Sequence, residues 1–122
     1  MKYLCLVYAD EARLAVMSQS EIDALIDETT ANNEELQASG HLLLAQALEH
    51  VAAATTVRVR NGRLSATDGP FAETHEQLGG FVFIEARDLN EAIQIAGRIP
   101  SARIGSIEVR PVIDLIRERS AR

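Results

Sequence analysis

Residues 55–67, TTVRVRNGRLSAT, carry the strongest local fold signal in the chain. Val57 and Val59 alternate with polar neighbours, and Asn61-Gly62 separates this run from a second one. Asn-Gly between two such runs predicts a type I′ β-hairpin, because both turn residues must accept a positive φ. We expect the arginine-bearing face of the hairpin to be solvated.

Upstream of the hairpin, the sequence predicts a strand, a helix and a second strand. Residues 3–8 are apolar on both alternating faces, which is typical of a central strand covered on both sides. Ser18 and Glu21 form a capping box at the start of a helix, and Gly40 supplies its stop. The short apolar segment 41–48 is the predicted second strand. The predicted inward stripe of the helix comprises Ile22, Leu25, Ile26, Thr29 and Leu36.

Downstream of the hairpin, a strand, a helix and a last strand are predicted. A loop over residues 68–78 leads into a strand over residues 81–86. Asp88 and Glu91 form a second capping box that begins a helix, and the last strand covers residues 106–112. The predicted inward residues are Leu89, Ala92, Ile93, Ala96 and Ile99 on the helix and Ile107 and Val109 on the strand.

The order strand-helix-strand, hairpin, strand-helix-strand predicts an α+β fold of the ferredoxin-like kind, βαβ-hairpin-βαβ. One layer of helices covers one face of a sheet, but the predicted strands are apolar on both faces. Pairing sheet against sheet in a homodimer is the economical way to bury the second face. We expect the domain to span residues 1–113, followed by a polar tail, 114–122, that is a short helix or disordered.

Composition limits the classes of function. The 122 residues, 47% hydrophobic and 25% charged, predict one domain and exclude intrinsic disorder as the main description. A net charge of −6 argues against nucleic-acid and membrane partners, and an aromatic content of 4% argues against an RNA-binding sheet. No apolar stretch reaches the roughly 18 residues of a membrane helix. The first apolar segment is not expected to be a signal peptide, because Asp10-Glu11 follow it where a cleavage site of small residues should be. We therefore expect a cytoplasmic protein, with Cys5 as a buried, inert thiol.

The polar cluster of the chain is DGPFAETHE, residues 68–76, which we name the DGPF loop. Three interpretations remain open. Asp68 forms an Asx-type turn with nearby backbone N–H groups. Alternatively, Asp68 is a general base or substrate-orienting carboxylate, with Glu73 or His75 as its proton-transfer partner. The third interpretation is a metal site formed by Asp68, Glu73, His75 and Glu76. It is the weakest of the three, because the chain has no H-x-H, H-x-x-x-H or cysteine pair.

Three residues outside the DGPF loop also bear on a site. Tyr8 ends the first strand, where its phenol either rims a pocket or belongs to the core with its hydroxyl at the surface. His41 and His50 stand at the edges of predicted elements, where a solvated or backbone-bonded imidazole is expected. The sequence has no P-loop, G-x-G-x-x-G, G-x-S-x-G or Cys-x-x-Cys, so we expect no cofactor.

The run TDGPFAET, residues 67–74, followed by EQLGGF, residues 76–81, resembles the signature of the YCII-related family, specifically its DGPF-domain branch. The opening MKYLCLVY and the late ARIGSIEVRPV are also similar, so the resemblance extends to about Pro111. It implies a ferredoxin-like fold paired into a dimeric α/β barrel. It also implies a cleft proposed as an active site, with a His–Asp pair in the YciI-type branch and elimination-type chemistry in some members. Genes of DGPF proteins often neighbour those of extracytoplasmic-function sigma factors.

Two departures from the family pattern leave two hypotheses. The histidine of the resembled family lies on the first helix, but the helix predicted here has none between Ser18 and Ser39, and the nearest match is Thr29. The branch also often has Lys in place of His75. The first hypothesis is a homodimer that binds a small molecule, or acts on it like a lyase, in a cleft at the DGPF loop. The second is a non-catalytic regulatory or binding dimer associated with sigma factor systems. For the first, we expect Asp68 and His75 as catalytic residues and Tyr8, Pro70, Phe71 and Glu73 as substrate-binding residues.

Overall fold

The computed structural model describes residues 1–121, so Arg122, the last residue of the predicted tail, lies outside it. The strands are β1 (Lys2–Ala9), β2 (Leu42–Ala47), β3 (Thr55–Arg60), β4 (Arg63–Asp68), β5 (Gln77–Glu85) and β6 (Gly105–Pro111). The helices are α1 (Glu11–Ala15), α2 (Gln19–Ala38), α3 (Leu89–Gly97) and α4 (Leu115–Ala121). Two single turns of 3-10 helix, Val51–Ala53 and Pro100–Arg103, complete the order. None of the helices within residues 1–121 has the length and hydropathy needed to span a membrane.

The strands form a four-stranded sheet and a separate hairpin. The sheet has the order β2-β5-β1-β6, with antiparallel pairing throughout. Strands β3 and β4 pair only with each other, and Asn61 and Gly62 at their turn have φ values of 53° and 75°. This mixed α+β architecture is consistent with the predicted ferredoxin-like fold, and it confirms the hairpin.

One face of the sheet packs on the helices and forms the core. Cys5 lies in the centre of this face and is fully buried, as the sequence predicted. Burial raises the pKa of the Cys5 thiol to about 11, so the thiol stays protonated at neutral pH. The core cluster comprises Tyr3, Cys5, Leu36, Val82, Ile84, Ala86, Ala92, Ile95, Ala96 and Ile99, with Ile107 and Val109 packed against it as predicted.

The opposite face of the sheet is also apolar. In β1, Leu4 and Leu6 alternate with the buried residues, and they pair across the ladder with Phe83 and Phe81. Leu44 of β2 pairs with Phe83 on the same face and remains exposed. The core cluster contains none of these five side chains. We name them the open-face cluster.

The helix caps follow the local sequence. At α2 the predicted capping box is present: Glu21 N–H donates to Ser18 Oγ, and Ser18 N–H donates to Glu21 Oε1. That bond from the Ser18 N–H lowers the pKa of Glu21. Of the second predicted capping box, at the start of α3, only one of the two hydrogen bonds is present. Glu91 N–H donates to Asp88 Oδ1, but Glu91 Oε1 accepts from the Arg87 N–H instead of from Asp88.

The structure corrects the sequence-based boundaries and inward faces in several places. Strand β5 begins at Gln77, before the predicted start, because β1 continues as its partner to Ala9. Helix α1 was not predicted, although Asp10 caps it by accepting from the Ala12 N–H at 3.0 Å. On α3, Ala92 and Ala96 are buried as predicted. Ile95 is buried without having been predicted, and the predicted Leu89 and Ile93 are exposed. On α2, Leu36 is buried, whereas the predicted inward residue Ile26 is exposed.

Candidate functional site

A cavity of about 560 Å³ lies beside the DGPF loop, and we name it the hairpin cleft. The end of β1, the segment between β2 and β3, the start of β3, the DGPF loop and the start of β5 all contribute to its wall. The lining residues are Tyr8, Leu48, Glu49, His50, Val51, Ala53, Ala54, Thr55, Thr56, Pro70, Phe71, Ala72, Thr74, Gln77 and Leu78. Of the residues expected at a site, Tyr8, Pro70 and Phe71 line the cleft, whereas Asp68, Glu73 and His75 do not.

Backbone contacts at the base of the hairpin hold the DGPF loop against the cleft. Gly69 N–H donates to the Ala54 carbonyl at 2.7 Å, and Thr56 Oγ1 donates to the Gly69 carbonyl at 2.8 Å. Gly69 has a φ of 100°, a conformation that glycine adopts without a steric penalty. These bonds fix the direction in which Pro70 and Phe71 leave the hairpin.

Asp68 is the last residue of β4 and pairs with Thr55 in the hairpin ladder. Its side chain is exposed and makes no hydrogen bond or ion pair with the backbone or with any side chain that the structure describes. The predicted Asx-type turn is therefore wrong. Pro70, two residues further on, has no N–H to donate to the carboxylate.

The exposed Asp68 carboxylate leads to a prediction about stability. Replacing Asp68 by alanine is expected to change the free energy of unfolding by less than about 0.5 kcal/mol, because no contact is lost. The matched control is Asp88→Ala, which removes the cap of α3 and should cost about 1 kcal/mol. Urea denaturation of the two variants checks this. A cost for Asp68→Ala as large as that of the control would show that its carboxylate is architectural.

His75 contacts Asp10 and not Asp68. Its Nε2 lies 3.4 Å from Asp10 Oδ2, and its side chain is 86% exposed. Asp10 Oδ1 meanwhile accepts from the Ala12 N–H as the cap of α1. Glu73 is exposed and makes no side-chain hydrogen bond or ion pair within the described chain. The structure thus does not bring together the catalytic residues expected from the sequence.

A second carboxylate–imidazole pair, Glu11 with His50, borders the hairpin cleft. His50 Nε2 lies 3.1 Å from Glu11 Oε1, and Glu11 Oε2 accepts from the Val51 N–H at 3.0 Å. His50 Nδ1 accepts from the Ala52 N–H at 3.0 Å, which assigns the proton of the neutral ring to Nε2. The sequence predicted a solvated or backbone-bonded His50, and its backbone bond is confirmed. Its pairing with Glu11 was missed, because no local pattern links the two segments.

Glu76, the last residue of the DGPF loop, has one oxygen shielded from solvent. Its Oε1 has no hydrogen-bond donor among residues 1–121. Shielding a carboxylate oxygen without a donor costs free energy, so this oxygen is an unused acceptor next to β5. Among the side chains that the structure describes, no three from His, Cys, Asp or Glu lie close enough together to hold a metal ion.

A second cavity, of about 390 Å³, lies between α2 and the sheet. Thr29, the nearest match to the histidine of the resembled family, lines it together with Asn33 and Gln46. The Thr29 hydroxyl donates to the Leu25 carbonyl at 2.8 Å. Asp68 lines neither this cavity nor the hairpin cleft, so a His–Asp pair has no counterpart at these two positions.

Comparison with known proteins gives a family match over most of the chain. The sequence model of the YCII-related domain matches residues 1–116. An uncharacterised protein of Rhizobium meliloti (strain 1021) is 36% identical over 114 residues, which is 92% of this chain and 92% of that protein. The similarity therefore includes the hairpin, the DGPF loop and every strand of the sheet.

Proposed function

The chain belongs to the YCII-related family, and on that premise we propose that it is a homodimer that binds a small, mainly apolar molecule in the hairpin cleft. The observation that carries the proposal is the cleft itself. Its volume of about 560 Å³ lies in the range of small-molecule sites, and its walls combine apolar side chains with a few hydroxyl and amide groups. Tyr8 and Phe71 supply aromatic surface, while Thr56, Thr74 and Gln77 supply the polar groups.

Binding is better supported than catalysis. A general base acts from within hydrogen-bond reach of the proton that it removes. Asp68 and His75 lie outside the cleft wall, and His50 has its two ring nitrogens engaged by Ala52 and Glu11. Lyase-like chemistry is therefore the less supported form of the proposal. Membership of the DGPF-domain branch and a cytoplasmic location stay predictions.

The dimer in this proposal rests on the open-face cluster. A patch made of five large apolar side chains on the flat face of a sheet is typical of an interaction surface. A two-fold axis through the sheet face would bring the same patch of two copies together, as in a dimeric α/β barrel. The proposed homodimer thus buries the apolar surface that α2 and α3 leave uncovered.

A second candidate function is a non-catalytic regulatory dimer associated with an extracytoplasmic-function sigma factor. The separation of Asp68 from His75 favours it, because that function needs no acid–base pair. Both candidates share the dimer and differ in whether the hairpin cleft holds a ligand. Ligand binding is therefore the property that separates them.

The hairpin cleft is tested with N-phenyl-1-naphthylamine, an uncharged probe that becomes fluorescent in apolar sites. We expect one saturable site per chain, and we expect Phe71→Ala to weaken binding about five- to tenfold, because part of the apolar wall is lost. Phe71 is 80% exposed, so the fold should tolerate the change. The control Leu64→Ala removes an exposed apolar side chain outside the cleft and should leave the affinity unaltered. No saturable binding by the wild type would favour the regulatory candidate.

A further inference from the structure

The charged groups that line the hairpin cleft give it an excess of negative charge. Among the lining residues, Glu49 supplies the only carboxylate, and the only other titratable side chains are the His50 imidazole and the Tyr8 phenol. Within residues 1–121 the cleft wall includes no lysine or arginine. The wall therefore offers one negative charge and no permanent positive charge to a ligand.

The imidazole of His50 does not reverse this balance. In its neutral form, Nδ1 accepts from the Ala52 N–H, and Nε2 lies 3.1 Å from Glu11 Oε1. Protonating Nδ1 would place two donors face to face at the Ala52 contact. A protonated ring would moreover be neutralised by the Glu11 carboxylate, 3.1 Å from Nε2. The pair of Glu11 and His50 thus adds no net positive charge to the cleft while the Glu11 side chain is a carboxylate.

Glu49 is available to a ligand. Its side chain is exposed and forms no ion pair with any described residue, while it forms part of the cleft wall. The chain as a whole adds a net charge of −6, which attracts cations and repels anions around the cleft mouth. An ammonium group beside Glu49 would gain from both effects, and a carboxylate, phosphate or sulfonate would lose from both.

We infer that the ligand of the hairpin cleft is an apolar molecule that carries a protonated amine. Its apolar body contacts Phe71 and Leu78, and its ammonium group pairs with Glu49. This inference rests on the proposed function, because it names the class of ligand for the same cleft. Uncharged apolar molecules bind more weakly than the amine, and anions of the same size bind weakest.

Three ligands that share one ring system test the inference. At pH 7, 1-naphthylmethylamine is cationic, 1-naphthylmethanol is neutral and 1-naphthoate is anionic. The affinity of each is measured at low salt by its displacement of bound N-phenyl-1-naphthylamine. We expect the amine to bind about fivefold more tightly than the alcohol and at least tenfold more tightly than the carboxylate, the range for a partly exposed ion pair. Adding 0.5 M NaCl should reduce both ratios, since salt screens exposed charges.

Two variants test whether the preference for the amine comes from its ion pair with Glu49. Glu49→Gln should remove most of the preference for the amine over the alcohol, leaving only the small part that the net charge of the chain contributes. Glu34→Gln, which makes the same change in net charge on α2 away from the cleft, should leave most of the ratio intact. Tighter binding of the carboxylate, or equal effects of the two variants, would overturn the inference and leave the proposed cleft standing. No binding of any probe to the wild type would instead remove the proposed function, and this inference with it.

Discussion

Replacing Gly105 by alanine is expected to lower the free energy of unfolding by about 3 kcal/mol, because the new methyl group has no space. A Cβ at this position would lie 2.1 Å from the Tyr8 carbonyl oxygen and 3.2 Å from the Ala9 Cα. Both atoms belong to the backbone of β1, which pairs with β5 on one side and with β6 on the other. The strand cannot move away from Gly105 without disturbing one of these ladders. Equilibrium denaturation in urea measures the loss.

Gly97→Ala is the matched control for the change at Gly105. Gly97 is the last residue of α3, and a Cβ there would meet nothing within 4 Å. Alanine favours a helix over glycine, so this variant should gain about 0.5–1 kcal/mol. Because the clash at Gly105 falls on Tyr8, that variant should also bind N-phenyl-1-naphthylamine more weakly in the folded state. A loss of less than about 1 kcal/mol would show that β1 and β6 can separate at this point.

The features that the sequence predicted correctly are those fixed by neighbouring residues. The hairpin turn needs two residues that accept a positive φ, and Asn61-Gly62 provides both. The cap of α2 depends on Ser18 and Glu21 alone, three residues apart. The order of the elements then follows from the alternation of these local signals. The α+β order of the elements, which is consistent with a ferredoxin-like fold, could therefore be predicted without any knowledge of tertiary contacts.

Most of the features that were missed depend on contacts distant in sequence, although α1, whose Asp10 cap is local, was missed as well. The early start of β5 is set by its pairing with Tyr8 and Ala9, which no local pattern reports. The Val51 N–H and the Glu11 carboxylate that accepts from it are 40 residues apart. The hairpin cleft is likewise assembled from several separate segments. Tyr8 and Phe71 could be proposed as site residues from their own sequence surroundings. The separation of Asp68 from His75 could not be foreseen, because it depends on how these segments come together.

Replacing Leu6 by arginine is expected to convert the proposed dimer into a monomer. Leu6 lies near the middle of β1 in the open-face cluster, where it pairs with Phe81 on one side and Glu108 on the other. Moving a guanidinium from water into an apolar interface costs several kcal/mol even beside a carboxylate such as Glu108, and a two-fold axis would bury two of them in one interface. The dimer should therefore weaken at least a hundredfold. Light scattering coupled to size exclusion should find twice the 13.3 kDa chain mass for the wild type and one chain mass for the variant.

The variant monomer is expected to stay folded, because Glu108 lies directly across the ladder and can pair with the new guanidinium on the exposed face. Circular dichroism of the monomer checks this, so that loss of the dimer is not confused with loss of the fold. Val16→Arg places the same side chain at a position that is 84% exposed between α1 and α2, and it should remain dimeric. The melting temperature of the wild type should rise with protein concentration, whereas that of Leu6→Arg should not. A wild type that is monomeric at all concentrations would mean that the open-face cluster serves some contact other than a second copy of the chain.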